Sequence, residues 1–289
     1  MAGSSYSEED QALMEEVRDL IENTESELNI LMVGRVGGGK STLVNSAHMA
    51  VAQKWNEFAV SGKGAATNNT IYLTPIPMFE RRYMKTPIDD YPETIKMWDF
   101  VGMENLEEES YITLIGLTLE GRVPEGTCVP ELLKLKTQQL EKKFPTVDQK
   151  RRFHRVIMVC EADKDIPENL VKTVARSAKT YDGRQVPIFV LFSKMDRPVV
   201  PEEYAIRRQE ALKAFQLEGN LERLFETSLY SDFNENCSRQ RDKRFNRNEE
   251  IDSALLTMWR VLLNPAYNVT LRWSGRSYEE PPASWCHSQ

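Results

Sequence analysis

Leu28-Asn29-Ile30-Leu31-Met32-Val33-Gly34-Arg35-Val36-Gly37-Gly38-Gly39-Lys40-Ser41-Thr42 decides the reading of this chain. Leu28 to Val33 is a short apolar run and reads as a buried strand. Ser41 to about Lys54 reads as a helix. The turn between them, Gly34 to Ser41, fits GxxxxGK[ST] in the strand–turn–helix context that the motif requires. Its glycines let the backbone wrap closely around phosphates and point N–H groups inward. The helix that follows adds its positive N-terminal end. Lys40 is expected to reach the β- and γ-phosphates of a nucleotide, and the Ser41 hydroxyl to bind Mg²⁺. Arg35, Val36, Gly37, Gly38, Gly39 and Thr42 complete the expected cradle.

Three further stretches follow in an order that fits the first. Trp98-Asp99-Phe100-Val101-Gly102 ends an apolar strand with a carboxylate. Asp99 there can hold Mg²⁺ through water, and the Gly102 N–H can meet the γ-phosphate. Ser193-Lys194-Met195-Asp196 follows the apolar run Ile188 to Phe192. A carboxylate at Asp196 can accept from guanine N1–H and the 2-amino group together, whereas adenine offers an acceptor at N1 and no 2-amino group. The Lys194 stem can lie along the base plane, and Ser193 opens the motif. Glu226-Thr227-Ser228 closes the last strand, where Thr227 and Ser228 can meet the guanine carbonyl. Between the first two motifs, Thr67 and Thr70 are candidates for a switch threonine on Mg²⁺. Thr70 is favoured because it directly precedes a strand at Ile71. The expected metal ligands are therefore Ser41, Thr70 and Asp99, and the expected catalytic groups Lys40, Thr70 and Gly102.

The rest of the chain reads as strands alternating with helices, hence an α/β fold with a mostly parallel sheet. Ser7-Glu8-Glu9-Asp10 resembles a capping box opening an acidic amphipathic helix. Ile71 to Phe79 reads as a strand whose Pro75 and Pro77 confine it to a sheet edge. Ile95 to Asp99, Val156 to Cys160, Val186 to Phe192 and Leu221 to Thr227 read as further strands. Continuous apolar runs such as the second and third suit central parallel strands covered on both faces. Helices are expected across Tyr111–Leu119, Glu168–Thr180, Glu202–Leu217 and Ile251–Leu262, the last stopped by Pro265. Gly121 to Lys150 reads as an insertion with one helix over Glu131–Lys143. The expected division is an acidic helix at 1–26, a nucleotide-binding domain at 27–264 with its insertion near 121–150, and a polar tail at 265–289.

Composition narrows the function classes. The 289 residues carry a net charge of −7, which argues against a chain coated by nucleic acid or anionic membrane. No apolar run approaches the ~20 residues that span a bilayer. Cys128, Cys160, Cys237 and Cys286 form no CxxC pair and suit a reducing compartment. His48, His154 and His287 offer neither metal-ligand spacing nor a nucleophile–base pair. Arg239, Arg241, Lys243, Arg244 and Arg247 read as a solvated loop, and Lys150, Arg151, Arg152 and Arg155 as surface. Met258 and Trp259 read as core packing.

The order of these motifs resembles the Ras-like P-loop GTPases, and within them the interferon-induced protein 44-like GTPases. The resemblance is carried by Ile30 to Asn45, Trp98 to Met103, Arg152 to Val159, Leu191 to Asp196 and Thr227 to Asp232. It implies a Ras-like sheet with an antiparallel edge strand and helices on both faces. It further implies cytosolic, Mg²⁺-dependent binding of GTP and GDP, and points to innate immune or antiviral defence. Ser193 departs from the pattern, standing where Asn or Thr is usual. Met103 also departs, standing where Ras-like enzymes carry a catalytic Gln, and predicts slow hydrolysis of GTP to GDP. Self-association or a protein partner can then complete the site with an arginine in trans, or Arg35 can act in cis. The alternatives are a nucleotide-gated interaction module without turnover and, disfavoured by Asp196, an ATPase with a relaxed base site.

Overall fold

The computed structural model describes residues 7–59, 71–89, 91–104, 108–231 and 245–268. Along β1 (Leu28–Gly34) the side chains alternate between two faces, and both faces are buried. Ile30 and Met32 enter one apolar layer, Leu31 and Val33 the other. The same split runs through β4 (Arg155–Glu161), with Ile157 and Val159 against Val156 and Met158. It continues in β5 (Ile188–Ser193), with Phe189 and Leu191 against Val190 and Phe192. This two-sided burial is why these strands are apolar without interruption.

With β2 (Thr74–Pro77), β3 (Ile95–Asp99) and β6 (Leu224–Glu226), these strands form a six-stranded sheet in the order β2-β3-β1-β4-β5-β6. Only the β2–β3 pair is antiparallel. One face carries α1 (Glu8–Glu22), α2 (Lys40–Ala52) and α8 (Glu249–Leu262). The other carries α3 (Glu109–Leu119), α6 (Glu168–Ser177) and α7 (Pro201–Ala214). Ser7 caps α1 by accepting from the Asp10 N–H at 3.1 Å, and Met14, Val17 and Ile21 then bury against the sheet layer. Trp259 of α8 is fully buried and donates its indole N–H to the Ala47 carbonyl of α2 at 2.9 Å.

Three expectations are corrected. The edge strand covers Thr74–Pro77 only, because Ile71 to Leu73 pair elsewhere. Leu73 N–H donates to the Thr127 carbonyl, and Val129 N–H to that of Ile71, so the insertion captures this segment. Just beyond β2 the Met78 N–H donates inward to the Ile95 carbonyl, so by alternation the N–H-less Pro75 and Pro77 face outward. The insertion helix is two pieces, α4 (Val129–Leu132) and α5 (Thr137–Lys143). Gln139 Oε1 accepts from the Lys136 N–H at 2.9 Å and restarts the helix there. Arg155 is not at the surface but 1% exposed. Its guanidinium reaches the Leu262 and Asn264 carbonyls and Asn268 Oδ1, tying β4 to the end of α8.

Candidate functional site

The strand order reverses at β1, with β3 on one side and β4 on the other, and in open α/β sheets ligand sites gather at the carboxyl ends beside such a point. The glycine turn, Asp99–Gly102, Ser193–Asp196 and Thr227–Ser228 each follow the carboxyl end of a strand along this edge. Register sets Met32 beside Asp99, Gly34 beside Val159, and Glu161 beside Ser193.

The turn between β1 and α2 needs its glycines. Gly37 and Gly39 have φ of 73° and 97°, where a side chain is strained. A Cβ on Gly34 would lie 2.5 Å from the Val159 carbonyl oxygen. Lys40 begins α2 and is 6% exposed. Its ammonium folds back under the turn, donating to the Arg35 carbonyl at 3.0 Å and the Gly34 carbonyl at 3.2 Å. Burial lowers its pKa, and the negative charges of Asp99 and Glu161 partly oppose this. The adjacent Ser41 hydroxyl donates to Asp99 Oδ2 at 2.5 Å. A hydroxyl and a 4%-exposed carboxylate in contact, beside a buried ammonium and a glycine cradle, form the hard-oxygen and cationic donor set that a Mg²⁺–phosphate group requires.

Val36 and Thr42 are half-buried beside this turn. Arg35 turns away from it, donating to the Asp165 carbonyl at 3.3 Å. Gly102 is buried in the segment after β3. Met103 follows with its N–H on the Gly34 carbonyl at 3.1 Å and its side chain 1% exposed in the apolar layer under α3. Thr67 and Thr70 lie outside the described residues, as do Arg239, Arg241, Lys243 and Arg244. Arg247 pairs with Asp252 at 2.9 Å.

The Ser193–Asp196 motif follows β5, two strands from β1 across β4. Ser193 is fully buried, and its hydroxyl donates to the Gly38 carbonyl at 2.8 Å. It thereby fastens the end of β5 to the glycine turn. Lys194 adopts φ of 64° and sends its ammonium to Glu161. Asp196 is half-buried on the turn that follows. Both donors of Thr227 are used within the fold, the N–H on the Phe192 carbonyl and the hydroxyl on the Ser228 carbonyl. Ser228 beside it is half-buried. Glu161, which receives the Lys194 ammonium, does not stand out in the sequence. Its only signal is a charge closing an apolar central strand.

The strand order, the glycine turn and the paired Ser41 and Asp99 decide the fold. It is a P-loop NTPase fold with a Ras-like sheet. No family model and no curated protein matches the chain. Solved structures similar to it include Toc33 from Arabidopsis thaliana in complex with Mg²⁺ and GMPPNP, at 16% identity and a TM-score of 0.47, covering 92% of this chain and 96% of that one. Toc33 from the same plant with GDP and Mg²⁺ covers 91% of this chain and 96% of that one, at 15% identity and a TM-score of 0.46. A dimerization-deficient Toc33 mutant has 14% identity and a TM-score of 0.46, covering 92% and 96%. The fold assignment rests on this chain's own topology. Among the described residues no group of three or more His, Cys, Asp or Glu side chains is placed to hold a metal ion, and no helix is long and apolar enough to cross a membrane.

Proposed function

We propose that this chain binds guanine nucleotides with Mg²⁺ and hydrolyses GTP to GDP slowly. The observation that carries the reading is the Lys40–Ser41–Asp99 cluster, a buried ammonium folded under a glycine cradle next to a hydroxyl–carboxylate contact. Ser41 and Asp99 would hold Mg²⁺, directly or through water, and the cation supplies charge neutralisation at the β- and γ-phosphates when bound. Lys40, released from the Gly34 and Arg35 carbonyls, places its ammonium on the phosphate oxygens. The backbone of Gly37 to Gly39 supplies N–H donors. Asp196 reads the guanine edge with two acceptor oxygens, and Ser193 holds that turn in register with the cradle.

Slow turnover is supported by Met103. Its side chain is packed in the apolar layer, so this position cannot orient an attacking water. The same observation favours the second reading, an interaction module gated by nucleotide without turnover. Arg35 supplies charge in cis if it leaves the Asp165 carbonyl, and a second copy or a partner protein supplies it in trans. The resemblance to interferon-induced protein 44-like GTPases supports a cytoplasmic role in innate immune defence, and loss of pathogen restriction on deleting the protein from cells would test that role.

The base assignment is tested by Asp196→Asn. The substitution replaces one acceptor with a donor, which mismatches the guanine 2-amino group and suits the carbonyl of xanthine. GTP affinity should fall and XTP affinity rise, each by roughly 1–3 kcal/mol. Titration calorimetry showing no exchange of preference would remove Asp196 from the base site.

A further inference from the structure

We infer that Glu161 is a positioning residue for base recognition, acting through Lys194; the inference rests on the guanine-nucleotide reading above. Glu161 ends β4 in register with Ser193, and its side chain is 3% exposed. A carboxylate taken this far out of water is destabilising unless paired. Here one oxygen, Oε1, accepts from two ammonium groups, Lys194 and, at 3.0 Å, Lys164. The Lys164 partner is half exposed and three residues away, so it suffices as a local counter-charge. Lys194 is different. Its backbone is fixed in the left-handed region at φ of 64°, and its neighbour Ser193 is anchored to Gly38.

A lysine stem fixed only at its backbone is flexible and carries about 2 kcal/mol of rotamer entropy. With its ammonium tied to Glu161, the Lys194 stem is held at both ends. It becomes a fixed apolar bar on the turn that carries Asp196, two residues on. Ordering it before the ligand arrives removes an entropy loss from the binding step. Glu161 also lies close enough to Lys40 for their charges to be felt. Its charge is already matched by the two ammonium groups, so removing it should weaken base binding and leave phosphate binding near that of wild type. A loss confined to ligands that carry a base separates a positioning role from a structural one.

The experiment compares wild type, Glu161→Gln, Lys194→Met and the double variant, each titrated with Mg²⁺-GDP and with inorganic tripolyphosphate. Glu161→Gln should bind GDP about tenfold more weakly, a loss of ~1.4 kcal/mol. It should bind tripolyphosphate about as well as wild type. The double variant should lose no more GDP affinity than Lys194→Met alone. Equal losses for both ligands would mean that Glu161 only supports the fold, and additive losses would mean that it does not act through Lys194. Either result overturns the inference, as does unchanged GDP affinity. If Glu161→Gln does not fold, Glu161→Asp, which draws the charge back by one methylene, carries the same comparison at smaller amplitude. A wild type that binds tripolyphosphate but shows no preference for GDP over ADP would overturn the guanine reading itself.

Discussion

At the scale of single residues, Met103 separates what the chain binds from what it does with it. A sequence reader who sees a methionine after DxxG at the glutamine position expects that restoring glutamine restores catalysis. The structure argues otherwise. The Met103 side chain is 1% exposed under α3, and its N–H is already fixed on Gly34. In Met103→Gln the new amide would be buried without partners, at a cost of roughly 1–3 kcal/mol of stability. The variant should melt at lower temperature and hydrolyse GTP no faster. Single-turnover kinetics showing a large gain in rate would mean that this side chain can leave the core. Ser193 makes the converse point. A serine for the usual asparagine shortens the side chain, yet its hydroxyl reaches the Gly38 carbonyl at 2.8 Å and joins the end of β5 to the glycine turn.

At the scale of elements, the ends of the insertion and of β1 meet in a polar knot on the side away from the site. Asn29 is fully buried, accepts from the Trp98 indole at 2.9 Å, and donates its N–H to Nδ1 of His154 at 3.0 Å. Burial first, then Arg155, Arg184 and Arg152, push the His154 pKa from 6.5 down to about 4. The folded ring therefore stays neutral where the unfolded one is protonated. Stability contributed here is present above pH 6.5 and is lost as pH falls from about 6.5 to about 4, by roughly 3 kcal/mol in all. His154→Gln should flatten that part of the profile in thermal melts between pH 7 and 4. Identical pH slopes in the two proteins would contradict the assignment. None of this knot was legible in the sequence. The strand, turn and helix of the P-loop were, because their signals are local: an apolar run, glycines, then Lys40 and Ser41. The edge placement of β2 was legible from Pro75 and Pro77, but not its length, because Ile71 to Leu73 are taken by residues 127–129 more than fifty positions on. The burial of Arg155 is hidden from the sequence for the same reason. Its partners are carbonyls at the far end of α8, and no local pattern announces them.

At the scale of the whole molecule, two apolar layers hold a sheet whose carboxyl edge collects the phosphate turn, the Asp99 strand end and the base motif, while α1, α2 and α8 close one face. Lys40 and Ser41 lie at the glycine turn, while the Met103 side chain is packed in the apolar layer and aligns no water. GDP produced per molecule should therefore rise with protein concentration if a second copy completes the site, an effect worth roughly 10³–10⁵ in rate where an arginine arrives in trans. Fast turnover independent of concentration would mean that the monomer already holds the missing group. The central claim, that the site is built for guanine nucleotides with Mg²⁺, is tested most directly by calorimetric titration of the nucleotide-free protein with GDP and with ADP, each with Mg²⁺ and with chelator. The account predicts GDP binding that weakens on chelation, is lost in Lys40→Ala, and exceeds ADP binding by at least about a hundredfold, as expected of a site that pairs with the base edge. Equal affinity for ADP, or GDP binding that survives Lys40→Ala unchanged, would contradict it.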